Sequence, residues 1–166
     1  LDRAVKAIQR GDKPNLDDPL PKGSEINLNI AAIIPTDYLP DVQTRLTLYK
    51  TIANCASEKE LDNCRVHMID RFGLLPPQTH NLFAITAIKI RMEPLGIIKI
   101  DANSSGGKVE FSARPNIDPM RLVKMVQSQP AIFRLEGSSM LRFKLPTETV
   151  EARLQLIHDI LNALSG

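Results

Sequence analysis

The alternation of polar and apolar positions changes period several times along the chain, and each change marks an element. In Ser24–Ile30 (SEINLNI) every second residue is apolar, so Ile26, Leu28 and Ile30 would share one face of a strand. Ile33–Ile34–Pro35 and Leu39–Pro40 frame a turn, and Asp41 stands where a helix N-cap is wanted. From Val42 the spacing becomes three and four, which turns Leu46, Tyr49 and Ile52–Ala53 inward on a first helix. Ser57 opens S-x-x-E with Glu60, a capping box that satisfies the first free amides of a second helix. Leu61, Cys64, Met68 and Phe72 form its apolar stripe, widened by Ile69, and Gly73 stops it. Pro76 and Pro77 open a third helix, where a missing N–H is harmless, and Leu82, Ile85, Ile88 and Met92 carry it to Pro94–Leu95–Gly96.

Beyond Gly96 the period shortens again. Ile97–Asp101, a glycine-rich turn (ANSSGG) and Lys108–Ser112 predict a β-hairpin. Asp118–Pro119 caps and opens a short helix containing Met120, Leu122–Val123 and Val126. Ala131–Glu136, Gly137–Ser139 and Met140–Leu145 predict a second hairpin, and Thr147 is placed to cap a last helix with Val150, Leu154, Ile157 and Leu161 inward. Hairpins segregated from helices imply an α+β fold, with helices packed against an antiparallel sheet built from one strand plus two β-hairpins. Before all this, Leu1–Arg10 reads as the end of a helix, with Val5 and Ile8 on one face and Gly11 as its stop. Residues 12–23, with three prolines, read as a linker, so the expected organisation is 1–11 helix end, 12–23 linker and 24–166 a single domain. A helix already under way at Leu1 suggests a piece of a longer protein.

Composition narrows the chemistry. The 166 residues carry 21 basic and 19 acidic side chains, and that net charge of +2 supplies no broad positive field. Aromatics are 4% with no Trp, leaving few rings for stacking on bases. Cys55 and Cys64 form no CxxC; on one continuous helix they would lie about 13 Å apart, so both are read as reduced thiols of a cytoplasmic protein. No apolar run is long enough to span a membrane.

Catalytic groups do not converge. His67, His80 and His158 fall on three different helices without metal-ligand spacing and read as lone surface histidines. Ser104–Ser105 and Ser138–Ser139 lie in turns, where serine bonds locally. Gly106–Gly107–Lys108 resembles the end of a phosphate loop, but Val109 replaces the needed hydroxyl and a strand follows instead of a helix. The sequence therefore points to no enzyme, no cofactor and no metal in this chain.

Two surfaces stay in view. Arg114, Arg121, Lys124, Arg134, Arg142 and Lys144 crowd the second half, and Arg134, Arg142 and Lys144 would share a face of the second hairpin. They form either a phosphate-contacting patch or the solvent side of a half-buried sheet whose inner side is Phe133, Leu135, Leu141 and Phe143. On the second helix, Arg65, His67, Asp70 and Arg71 lie beside the apolar stripe. Arg71 suits the helix C-terminus; Asp70 opposes the dipole there at up to ~1 kcal/mol unless a cation answers it. That cation is either external or one of Arg45, Arg65 and Lys50.

The segments Tyr38–Ala53 (YLPDVQTRLTLYKTIA), Ala56–Pro76 (ASEKELDNCRVHMIDRFGLLP) and Asn81–Ile100 (NLFAITAIKIRMEPLGIIKI) resemble the C-terminal domain of the bacterial transcription-repair coupling factor family. The shared pattern is an "IPD…R…LYK" segment, a helix ending "ELIDRFG", and a "P…NLL" helix leading to "LGI", over roughly residues 24–145. The resemblance implies a part of an ATP-driven DNA translocase that displaces stalled RNA polymerase and recruits UvrA, with the motor motifs outside this chain. It implies a regulatory domain that packs on the N-terminal UvrB-like module of the same polypeptide, masks the UvrA-docking surface and restrains the motor. The docking residues carried over are His67, Asp70, Arg71 and Phe72. Asp70 keeps the family acid, whereas His67 stands where the family usually has Glu. Two consequences stay open: a lock that leans on Asp70 and apolar contact, or one that closes poorly. Tyr38–Lys50 reads as a core-facing turn and helix, and Met68–Pro76 as the working surface.

Overall fold

The computed structural model describes residues 24–165; the expected Leu1–Arg10 helix and the 12–23 linker lie outside them. The elements run β1 (Glu25–Asn27), α1 (Val42–Ala53), α2 (Glu58–Phe72), α3 (Pro77–Met92), β2 (Ile97–Ala102), β3 (Gly107–Phe111), α4 (Pro119–Ser128), β4 (Phe133–Glu136), β5 (Met140–Phe143) and α5 (Val150–Ser165). This is the α+β order that the pattern predicts. The described residues form two compact units, one from Ser24 with Ile33–Phe83, the other from Glu25–Ala32 with residues 84–165.

In the first unit, local chemistry sets the helix ends. Asp41 caps α1 by accepting from the Thr44 amide at 2.9 Å, which holds its carboxyl below the usual range together with the Thr44 hydroxyl bond. The capping box of α2 closes both ways: Ser57 Oγ accepts from the Glu60 amide and Glu60 Oε1 from the Ala56 amide. Gly73 ends α2 at φ +100°, and its amide donates to the Ile69 carbonyl. The inward side of α1 differs from the expected one. Leu48 and Ile52 are buried, Tyr49 is half-buried, and Leu46 is 53% exposed, lining a shallow groove with Ile33 and Val42. Tyr49, one turn on from Leu46, lines the same groove, and its hydroxyl accepts from the Ile34 amide at 2.7 Å. Leu61 and Met68 bury the α2 stripe as expected, with Cys64 and Phe72 half-buried.

The second unit holds a five-stranded sheet in the order β1-β2-β3-β5-β4. Both hairpins form antiparallel pairs, as does β3 with β5, while β1 joins β2 in parallel, so the sheet is mixed rather than wholly antiparallel. β1 is also shorter than the alternation predicts, because Asn29 turns to φ +56° and spends its amide and side chain on Asn27 and the Ala102 carbonyl. Ile88, Met92, Ile97, Ile100, Val109, Leu141 and the α5 residues Ile157, Ile160, Leu161 and Leu164 make the core. Phe133 and Phe143 are buried as expected, but Leu135, near the end of the outermost strand, is 39% exposed.

The turn between β2 and β3 is organised by Asn103, whose Oδ1 accepts from the Ser105 and Gly106 amides. The cap of α5 is Thr149, accepting from the Ala152 amide at 3.0 Å, and not Thr147. Thr147 is buried instead and belongs to Arg153, whose guanidinium donates to the Thr147 hydroxyl, the Thr147 carbonyl and the Leu28 carbonyl. With a further contact to the Asn29 carbonyl at 3.3 Å, these bonds to neutral oxygens offset the cost of burying the cation. Among the described residues no helix is long and apolar enough to cross a membrane.

Candidate functional site

The first candidate site is the C-terminal end of α2. The apolar stripe of that helix takes Leu61 and Met68 inward, which leaves Val66, His67 and Asp70 on the exposed side. Phe72 is half-buried between two partners. The Tyr38 ring meets it edge-on at 6.3 Å and 68°, and the Arg71 guanidinium lies over its face at 4.8 Å. The Tyr38 hydroxyl then donates to the Gly73 carbonyl at 2.7 Å, and burial pushes its phenol above the ordinary value. Leu74, just past the helix, is 85% exposed. His67, Asp70, Arg71 and Phe72 thus share one end of one helix, with Phe72 held from below and the others open to solvent.

Charge at this end is unbalanced. The Asp70 carboxylate has no ion-pair partner among the described residues. None of the intramolecular bridges that the sequence left open for Asp70, to Arg45, Arg65 or Lys50, is made. Arg45 donates to the Leu39 and Pro40 carbonyls at 2.9 and 3.0 Å, and Arg65 is committed to Asp62 one turn away. An acid therefore stands in the last turn of α2 against the helix dipole, and its exposed neighbours include the apolar Val66 and Leu74. Leu74 falls within the Met68–Pro76 segment that the sequence marks as the working surface, whereas Tyr38 and Val66 were not legible as parts of it. Tyr38 acts across 35 residues, and exposed apolar positions look like core in a pattern reading.

The second candidate set is brought together as well. Arg134 and Arg142 are cross-strand partners on β4 and β5, and with Lys144 they line a groove of about 550 Å³. Glu136 lies beside both arginines, 2.6 Å from Arg142 and 3.7 Å from Arg134. The other basic residues of the second half stand apart. Arg121 and Lys124 are on α4, where Arg121 donates to the Ala163 carbonyl.

Catalytic or metal chemistry has little to draw on here. His, Cys, Asp and Glu do not gather in threes at metal-holding distance among the described residues. His158 is not a lone surface side chain: it is half-buried, and its Nδ1 lies 3.0 Å from Arg91, which can only donate. Cys55 and Cys64 are free thiols, both raised by burial. α1 ends at Ala53 and α2 starts at Glu58, so no continuous helix holds the thiols apart, and the sulfur of Cys55 is near enough to raise Cys64 further.

By architecture this is an α+β module whose candidate sites are exposed surfaces. It belongs to the TRCF domain family, whose model matches residues 28–122. Over its full length the chain is 39% identical to the transcription-repair-coupling factor of Haemophilus influenzae and, over 99% of its length, 35% identical to that of Escherichia coli. It spans 14% of the length of each of these relatives. A crystal structure of the C-terminal domain of a transcription-repair coupling factor matches with a TM-score of 0.70 over 87% of this chain and 96% of that one. At 17% identity that likeness speaks for the fold.

Proposed function

We infer that this chain is the C-terminal regulatory domain of a DNA-translocating transcription-repair coupling factor. Its task is to dock on the N-terminal UvrB-like module of the same polypeptide, cover the UvrA-docking surface and hold the ATPase motor at low activity. The observation that carries this reading is the unanswered Asp70 carboxylate on an exposed helix end, flanked by Val66 and Leu74. An acid in that position opposes the helix dipole by up to ~1 kcal/mol, a cost that an approaching cation relieves. Arg45 and Arg65 are engaged elsewhere and no ion pair to Asp70 forms among the described residues, so the acid is open to a cation of the N-terminal module.

Tethering makes such a contact effective even when it is weak. A domain held on a linker meets its target at high local concentration, so a modest interface closes the lock and still lets it open. RNA polymerase and DNA are then partners of the whole polypeptide, and this domain responds to them indirectly. Residues 12–23 serve as the linker to the motor in this reading, and the protein works in the cytoplasm, where Cys55 and Cys64 stay reduced.

The test is removal of residues 24–166 from the full-length polypeptide. Capture of UvrA and basal ATP hydrolysis should both rise. If both stay at the level of the intact protein, the domain is not a restraint.

A further inference from the structure

We propose that the β4–β5 end of the sheet is a binding site for the phosphate backbone of a nucleic-acid duplex, separate from the α2 surface. The observation is an asymmetry in the charge lattice on the outward face of the sheet. At the β1–β2–β3 end, Glu25, Asp101 and Glu110 face Lys99 and Lys108, with Lys108 to Glu110 at 2.9 Å and the other contacts between 3.7 and 3.9 Å. Acid exceeds base there. At the β5–β4 end the balance reverses, because Arg134, Arg142 and Lys144 have Glu136 as their one nearby carboxylate, and Lys144 makes no ion pair among the described residues.

Exposure rises toward both edge strands, Glu25 on β1 being 73% exposed, so the basic side chains of the β5–β4 edge are open to a ligand. The lattice side chains on β2 and β3 are 25–36% exposed, while Arg142 is 44% and Arg134 72% exposed. The register places Arg134 opposite Arg142, so the two guanidinium stems start about 5 Å apart and aim the same way. A planar fork of donors suits phosphate oxygens as well as carboxylates, and two forks with an adjacent ammonium suit a run of phosphates. Glu136 acts as a stand-in: it holds both arginines in place until a ligand with more negative charge displaces it.

The hairpin also says which nucleic acid. Single strands are gripped by aromatic rings on which bases stack, and the two rings of this hairpin, Phe133 and Phe143, are 6% and 4% exposed on the opposite, core side. What remains is contact to backbone phosphates, as a duplex presents them.

The experiment uses the whole 166-residue chain and a short fluorescent DNA duplex, read by anisotropy at low salt. The intact chain should bind with a log–log salt slope of about −2.7, the value for three phosphate contacts. Arg142→Glu with Lys144→Glu should weaken binding at least about ten-fold and bring the slope to about −0.9. Glu136→Gln should tighten binding by about two- to five-fold, since it frees both arginines, and a damaged fold does not produce a gain. Lys59→Glu, which alters charge on α2, should leave affinity within about two-fold of the parent. If Glu136→Gln changes nothing and the Arg142/Lys144 variant behaves like Lys59→Glu, the site is overturned. A single strand that binds as tightly as the duplex would overturn the backbone assignment.

Discussion

The Tyr38 hydroxyl donates to the Gly73 carbonyl at 2.7 Å, tying the turn that precedes α1 to the residue that ends α2. The same ring packs edge-on against Phe72, which Arg71 covers from its other side. Gly73 stops α2, and the Tyr38 side chain braces the last turn that it ends. Two of the three segments that carry the family resemblance meet here, so Tyr38 belongs to the surface that carries Asp70.

Tyr38→Phe keeps the ring contact and removes the hydrogen bond. It should cost about 1 kcal/mol of stability, read as a shift in the urea midpoint without a change in slope. The loss should also loosen the Arg71–Phe72 stack, seen as a change in the Phe72 ring resonances.

The same residue predicts an alkaline dependence. Burial raises the Tyr38 phenol above its ordinary value of 10.0, so the folded protein holds this proton more tightly than the unfolded chain. The contribution is complete below that ordinary value and is lost as pH climbs through the higher folded value. Urea midpoints measured between about pH 8 and about pH 11 should fall for the parent and fall less steeply for Tyr38→Phe.

Much of the fold was readable because its stop and start signals are local. Ser57 with Glu60, Asp118 with Pro119, Gly73 and the two hairpin turns all act within a few residues of themselves. What could not be read depends on partners far along the chain. Leu46 and Leu48 offer comparable apolar positions in the pattern, and only the packing of the folded unit buries Leu48 and exposes Leu46. β1 gives no sign that its neighbour will be a parallel β2 from 70 residues later, and Asn29 ends it through a bond to Ala102. The charges of the α2 end were in plain sight, yet only the fold shows that Arg45 and Arg65 are spoken for.

Arg153 illustrates the same limit. Its charge marks it as a solvent residue, but it is 8% exposed and bonds oxygens of Thr147 and Leu28. Arg153→Met keeps most of the volume and strands those carbonyls, so it should cost roughly 3 kcal/mol, read by thermal unfolding. Surface arginines such as Arg114 should give changes within about 0.5 kcal/mol when made Met.

Gly107 starts β3 where backbone and ring crowd it. A Cβ there would strike the Asp101 carbonyl oxygen and sit 2.7 Å from Phe143 Cζ and 2.8 Å from Ala102 Cα. Gly107→Ala should destabilise by about 2–4 kcal/mol and lower amide-exchange protection in β2, β3 and β5 together. Gly137, whose Cβ position is open, carries φ +64°; alanine there should cost about 1 kcal/mol from backbone strain alone.

The central claim is that Asp70 is answered by a cation outside its own unit. The direct measurement is Asp70→Arg in the full-length polypeptide, scored by UvrA capture and basal ATPase rate beside the melting temperature of the isolated chain. Reversing an exposed charge should leave that melting temperature close to the parent's, while UvrA capture and ATPase activity both rise toward the values of the protein lacking residues 24–166. A full-length Asp70→Arg protein with UvrA capture and ATPase activity unchanged from the parent would contradict the account.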